Sequence, residues 1–209
     1  PRRRPGSFAT ELRDRVRHRV RSRPGEAILV PAGIALLAVL AVIRLTTSVS
    51  LHLTPDAAHA LADADALLGQ GVRPPGYLPG FPLVVALSQA ITGSDVGAVH
   101  LALALAFAAL GGGLYAVARR FAAPRGAFVG AGAGMTMPVV AEALGWSGGA
   151  TILATAAGAA ALGAHEAWIV RPSLSRAVAT GLLLGVAALS HPFVPLVTLA
   201  LLGVRWLSL

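Results

Sequence analysis

Long, almost charge-free apolar runs are the feature that most limits what this chain can fold into. They cover residues 27–43, 96–118, 126–144, 148–164 and 177–189, and another run begins at position 193. A helix that crosses a bilayer needs about 20 predominantly apolar residues, because all its backbone amides must be satisfied within the segment. The runs therefore predict an all-α fold, a polytopic transmembrane bundle of about six helices. The shortest run, 177–189, is equally typical of a core or re-entrant helix.

The arginines orient the predicted helices. Nine of the 17 basic residues lie before Pro24, and further basic groups lie at 119–125 and 171–176, two crossings apart. Cytoplasmic loops retain Arg and Lys near helix ends, whereas translocated loops do not. We therefore predict a multi-pass protein of the cell membrane with a cytoplasmic N-terminus. The basic head fits an anchor against anionic lipid better than a nucleic-acid site, so no nucleic-acid partner is expected.

Two regions follow from this topology. Residues 1–26 form a basic cytoplasmic segment, and residues 27–209 form a transmembrane module whose external loop covers 45–95. Because the chain starts with Pro and stops inside an apolar run, we expect the module to be truncated at its C-terminus. All the basic residues are Arg, and Ala and Gly are abundant, which indicates a GC-rich bacterial genome.

The external loop opens with a helix start signal. Thr54 is a favourable N-cap, and Pro55 fits the first helical position, while Gly69 or Gly71 supplies a stop. A short helix over 55–68 is therefore predicted. Its apolar side indicates a helix at the membrane surface.

One face of this predicted helix carries ionisable side chains. At about 100° per residue, Asp56, His59 and Asp63 share one face, and Asp65 points to the opposite side. Such a face could deprotonate a hydroxyl, or Asp56 and Asp63 could hold a divalent cation that bridges to a phosphate. The alternative is that Asp56 only complements the helix dipole and the other side chains are solvated.

The rest of the loop is rich in Pro and Gly and then apolar over 83–92, which is too short to cross a bilayer. We predict an interfacial or re-entrant helix there, with Tyr77 and Phe81 at headgroup depth. Together, the two short helices would form an external cap seated on the first two transmembrane helices.

Three polar residues at predicted outer helix ends have two interpretations each. Arg44 would either extend to lipid headgroups or bind a phosphate. Glu142 is either a second carboxylate of an external cavity or an interfacial residue. His191, beside Pro192, would contact phosphate or acceptor, or would only cap its helix.

The order of these elements resembles a known family. The shared features are, in chain order, Arg44, the acidic helix region 56–71, the Tyr/Pro/Gly segment 76–82, the pair Arg119 and Arg120, and the Gly-rich run with a polar-Pro step over 181–192. In this order the chain resembles the integral-membrane glycosyltransferases of the C superfamily (GT-C), in particular bacterial relatives of protein O-mannosyltransferases and aminoarabinose transferases.

The resemblance implies an activity. Members transfer a sugar from a polyprenyl-phosphate carrier to a lipid, glycan or protein acceptor at the external face, and the family's catalytic first-loop acid falls on Asp56. The residues expected to contact substrate are Arg44, His59, Asp63, Tyr77, Glu142 and His191. The alternative functions are a membrane transporter or lipid flippase without glycosyl transfer, or a non-catalytic membrane scaffold.

Overall fold

The computed structural model describes residues 32–36, 39–40, 54–70, 78–145 and 148–207. Within these residues all regular structure is helical. The helices are α1 (Pro55–Leu67), α2 (Gly80–Thr92), α3 (Asp95–Ala118), α4 (Pro124–Met135), α5 (Pro138–Gly145), α6 (Gly149–Val170), α7 (Leu174–Ser190) and α8 (Val194–Leu207). Residues 32–36 and 39–40 are also helical and belong to the first predicted span. The basic segment 1–26, Arg44 and Tyr77 lie outside the described residues.

Helices α3 and α6 are long and apolar enough to cross a membrane. They contain 24 and 22 residues, and their mean hydropathies over an 18-residue window are 2.0 and 1.2. At 1.5 Å per residue, each is longer than a hydrocarbon layer of about 30 Å. The prediction of a helix over 96–118 is confirmed by α3. Helix α6 continues beyond the predicted end at residue 164 as far as Val170.

Close backbone contact joins α3 to α6. A Cβ atom at Gly113 of α3 would lie 2.5 Å from the Ala156 carbonyl oxygen, and one at Gly163 of α6 would lie 3.1 Å from the Ala116 carbonyl carbon. Small residues let membrane helices approach in this way, and the gain in dispersion contacts stabilises the pair. On the other side of α3, the buried Ile34 packs against Gly111, so the first predicted span also contacts α3.

The apolar run 126–144 is divided between two helices, so the prediction of one helix there is wrong. Helix α4 ends at Met135, and α5 begins at Pro138 and has only 8 residues. Proline has no N–H to donate, and its ring disfavours helical backbone at the residue before it. Hydropathy averaged over the run does not register this break.

The shorter apolar helices expose much of their hydrophobic surface. On α7, Leu174 is 81% exposed and Leu182 is 67% exposed, and Leu87 and Ile91 of α2 are 68% and 74% exposed. A water-soluble domain would bury such large side chains, because each contributes about 1.5–3 kcal/mol when removed from water. With α3 and α6, this surface indicates membrane association.

Two ends of the bundle have opposite chemistry. At the arginine end, which we define by residues 119–125 and 171–176 and by Arg205, helices α3, α6 and α8 finish together. The Arg120 Nε donates to the Gly163 carbonyl oxygen at 3.1 Å, and the Arg205 Nε donates to Glu166 Oε1 at 2.6 Å. The Arg205 guanidinium thus supplies a countercharge for Glu166, which lies beyond the predicted end of this helix.

At the other end, which we call the acidic end, α2 joins several elements. The start of α2 packs at Gly80 against Ser190, the last residue of α7, and at Phe81 against Gly149, the first residue of α6. Along its length α2 also packs against α1 and α3. The two predicted short helices are therefore present and pack on α3, the second predicted span, and on the ends of α6 and α7. Their contact with the first span and their external location stay predictions.

Candidate functional site

Helix α1 is docked on the acidic end through its small apolar side chains. The Thr54 hydroxyl accepts a hydrogen bond from the Ala57 N–H at 3.3 Å, which confirms the predicted N-cap. Gly69 has a φ of 74°, a left-handed conformation that suits glycine and ends the helix as predicted. The buried side of α1 consists of Ala57, Ala60, Leu61, Asp63 and Ala64.

The docked helix leaves its first turns open to solvent. Asp56 and His59 are both exposed, and they lie three residues apart, on one side of the helix. Asp63, one turn beyond His59, is only 8% exposed. The predicted polar face is thus exposed at its start, at Asp56 and His59, and covered at its end.

Asp65 has a structural contact that sequence analysis missed. The Gln89 Nε2 on α2 donates to Asp65 Oδ1 at 3.1 Å and to Asp95 Oδ1, in the first turn of α3, at 3.2 Å. The amide therefore ties α1, α2 and α3 together. The only available sequence clue was that Gln89 is polar within an apolar helix.

A shallow groove lies beside this contact. It has a volume of about 370 Å³ and is open to solvent. Its lining consists of Leu68, Gln70, Gln89, Ala90, Gly93, Ser94 and Asp95. The groove lies next to the C-terminal end of α1, whereas Asp56 lies in the first turn of that helix. We therefore assign the groove no catalytic role.

His191 closes the end of α7. Its Nδ1 accepts a hydrogen bond from the Phe193 backbone N–H at 3.3 Å, and the two rings are 6.0 Å apart between centroids. This bond is made to the connection that leads into α8 and not to the carbonyl groups at the end of α7, so it does not bear out the capping interpretation. The ring is half-buried, and its Nε2 is the remaining polar atom for a ligand.

Glu142 is exposed on α5, which packs against α6. The structure thus places the described candidates at the acidic end, on α1, on α5 and after α7. Helix α2 contacts both α1 and the end of α7, so Asp56 and His191 belong to elements that share one neighbour.

No group of three or more His, Asp or Glu side chains is arranged to hold a metal ion in the part of the chain that the structure describes. The predicted role of Asp56 and Asp63 as ligands of a divalent cation stays a prediction, and a cation bridged by substrate phosphate would need fewer protein ligands.

Comparisons of the chain with protein-family models, curated proteins and solved structures found no match. Its function is therefore inferred from the chemistry of its residues and the order of its elements.

Proposed function

We propose that this chain is the membrane module of a glycosyltransferase that moves a sugar from a polyprenyl-phosphate donor to an acceptor at the external face of the membrane. The observation that carries the proposal is the pair Asp56 and His59, exposed on a helix whose apolar side is docked on the acidic end of the bundle. In the proposed orientation α1 lies at the external membrane surface, where a lipid-linked donor presents its sugar and the exposed carboxylate can meet an acceptor hydroxyl.

The proposed reaction needs no covalent intermediate with the protein. A polyprenyl phosphate is a good leaving group once its growing negative charge is neutralised, so catalysis consists mainly of positioning and deprotonating the acceptor. Asp56 accepts the hydroxyl proton as the acceptor oxygen attacks the anomeric carbon, and the phosphate leaves with the bonding electrons. His59 and His191 are the neighbouring groups proposed to contact the phosphate or the acceptor, and Arg44 is proposed to bind the donor phosphate.

The proposed topology is multi-pass with a cytoplasmic N-terminus. Its support is the exposed apolar surface of α2 and α7, the length of α3 and α6, and the collection of Arg at one end of the bundle. In this orientation the acidic end faces outward and the arginine end faces the cytoplasm.

Sugar transfer can be tested without knowing the acceptor. Membranes from cells that express the protein are supplied with labelled polyprenyl-phosphate sugars, and loss of label from the lipid carrier is measured with the host's own acceptors present. We expect donor consumption above that of membranes lacking the protein. Movement of intact donor across reconstituted vesicles without consumption would instead support the transporter or flippase alternative.

Topology gives a second prediction, since the chain has no native Cys. We expect Ala58→Cys, exposed on α1, to react with a membrane-impermeant thiol reagent in intact cells. Ser175→Cys, exposed at the start of α7, should react only after the membrane is permeabilised. The unsubstituted chain controls for background, and labelling of Ser175→Cys from outside would contradict the orientation and the external site together.

A further inference from the structure

The arginine end carries more positive charge than its described surroundings neutralise. Its two connections contain Arg119, Arg120, Arg125, Arg171 and Arg176 and no acidic residue. Among the described residues, the acidic side chain at this end is Glu166, and it is engaged by Arg205 at 2.6 Å. Within the described part of the chain, neither Arg120 nor Arg176 forms an ion pair with a carboxylate.

Backbone contacts hold these arginines in place without neutralising them. The Arg120 Nε donates to the Gly163 carbonyl oxygen at 3.1 Å, across to the neighbouring α6. The Arg176 Nη1 donates to the Ala167 carbonyl oxygen at 3.1 Å and also to the Arg171 carbonyl oxygen. Because a guanidinium has five N–H donors, Arg120 and Arg176 retain several for a ligand, already oriented by these contacts.

The arginine charges are close enough to repel one another. Desolvation of the guanidinium is the largest influence that lowers the pKa of Arg120, and repulsion from Arg176 and Arg119 lowers it further. The Glu166 carboxylate acts in the opposite direction, with a smaller effect. An anion bound between the arginines would relieve this repulsion.

Two helix N-termini add positive potential at the same end. Neither Ala123, the N-cap of α4, nor Ser173, the N-cap of α7, makes a side-chain capping bond, and neither helix has an acidic residue in its first turn. The finishing ends of α3 and α6 have the opposite dipole, and Arg176 already caps the last turn of α6. The unneutralised N–H groups of α4 and α7 therefore favour an anion.

Apolar side chains flank the arginines on the surface. Phe121 is 66% exposed, Val170 is 58% exposed, and Leu174 at the start of α7 is 81% exposed. Exposed apolar side chains contribute nothing to the binding of a free phosphate ion. A phospholipid, in contrast, presents acyl chains directly beside its phosphate, and these chains can contact the apolar residues.

We propose that the arginine end is a binding site for the phosphate headgroup of an anionic phospholipid, with Arg120 and Arg176 as its principal contacts. The proposal rests on the membrane insertion included in the proposed function, and not on sugar transfer. The site lies at the opposite end of the bundle from Asp56, so lipid bound there acts as an anchor or as a structural ligand, separate from the chemistry.

The test measures binding of fluorescent phosphatidylglycerol and phosphatidylcholine to the detergent-solubilised chain. We expect a preference for phosphatidylglycerol that falls in the double variant Arg120→Gln/Arg176→Gln, by roughly fivefold for each charge removed. The double variant Arg120→Lys/Arg176→Lys should show a preference between those of the native chain and the Gln variant, because Lys retains the charge but lacks the planar guanidinium group. The matched control is Arg2→Gln/Arg3→Gln, which removes the same charge from the basic head and should keep the preference.

Equal losses in the head variant and the Arg120/Arg176 variant would overturn the site, because bulk charge would then explain binding. Displacement of phosphatidylglycerol by millimolar inorganic phosphate, beyond that caused by chloride at equal ionic strength, would also overturn it in favour of a soluble anion site. Flotation with neutral phosphatidylcholine vesicles separates the two proposals. Failure to float contradicts membrane insertion, whereas flotation without headgroup preference contradicts the lipid site alone. Circular dichroism of each variant confirms that a loss is not caused by unfolding.

Discussion

Replacing Asp56 by Asn is expected to reduce donor consumption by roughly a hundredfold to ten-thousandfold, the usual contribution of a general base. The amide has the size of the carboxylate but cannot accept a proton from the acceptor hydroxyl. Asp56 is exposed in the first turn of α1, so the fold loses at most the favourable interaction of its charge with the helix dipole, typically about 0.3–1 kcal/mol. The measurement is loss of label from a polyprenyl-phosphate sugar, at equal amounts of folded protein.

Asp65→Asn is the matched control, since it makes the same chemical change on the same helix. The side-chain oxygen of the new Asn still accepts from Gln89 Nε2, which donates to Asp65 Oδ1 at 3.1 Å in the native chain. We expect this variant to consume donor at the native rate. If Asp56→Asn retained native activity, Asp56 would not be the base, and if both variants lost activity equally, the effect would be one of helix position.

Gly113→Leu is expected to separate α3 from α6 and to destabilise the fold. The new Cβ would lie 2.5 Å from the Ala156 carbonyl oxygen and 3.3 Å from both the Ala159 Cβ and the Ala160 backbone nitrogen. These are mainly backbone atoms, so no side-chain rotation can relieve the clash, and we expect a cost of about 3 kcal/mol or more. Thermal unfolding in detergent, with resistance to protease as a second readout, measures the effect.

Gly112→Leu provides the control for this variant. A Cβ at Gly112, the adjacent position on the same helix, meets nothing within 4 Å. We expect it to keep nearly the native unfolding temperature, because a leucine there adds apolar surface on an uncrowded side of α3. Equal destabilisation by the two variants would mean that glycine is needed for its backbone and not for the approach of α6.

Local signals were sufficient for several elements. The N-cap at Thr54, the stop at Gly69 and the apolar run of α3 are all properties of neighbouring residues, and the structure agrees with each. Capping and hydropathy act over one turn or one bilayer crossing, so a sequence displays them directly. The placement of Asp56 on the first turn of a short helix follows from the same signals.

Other features depended on residues far apart in the chain. Glu166 of α6 pairs with Arg205, 39 residues away, and Arg120 donates to a carbonyl group 43 residues away. The break at Pro138 was visible in the sequence but was hidden by the hydropathy of its surroundings. Burial of Asp63, beside exposed Asp56 and His59 on the same predicted face, follows only from how α1 docks on α2.

The sequence by itself therefore determined the all-α class, the bounds of α1 and α3, and the separation of acidic from arginine-rich connections, since composition and neighbouring residues set these. Tertiary structure decided which polar groups meet. A charge in an apolar helix is stable only beside a partner, and that partner is found by packing rather than by spacing. Packing alone brings Gln89 to Asp65 and Asp95. It likewise orients the arginines on backbone carbonyl groups.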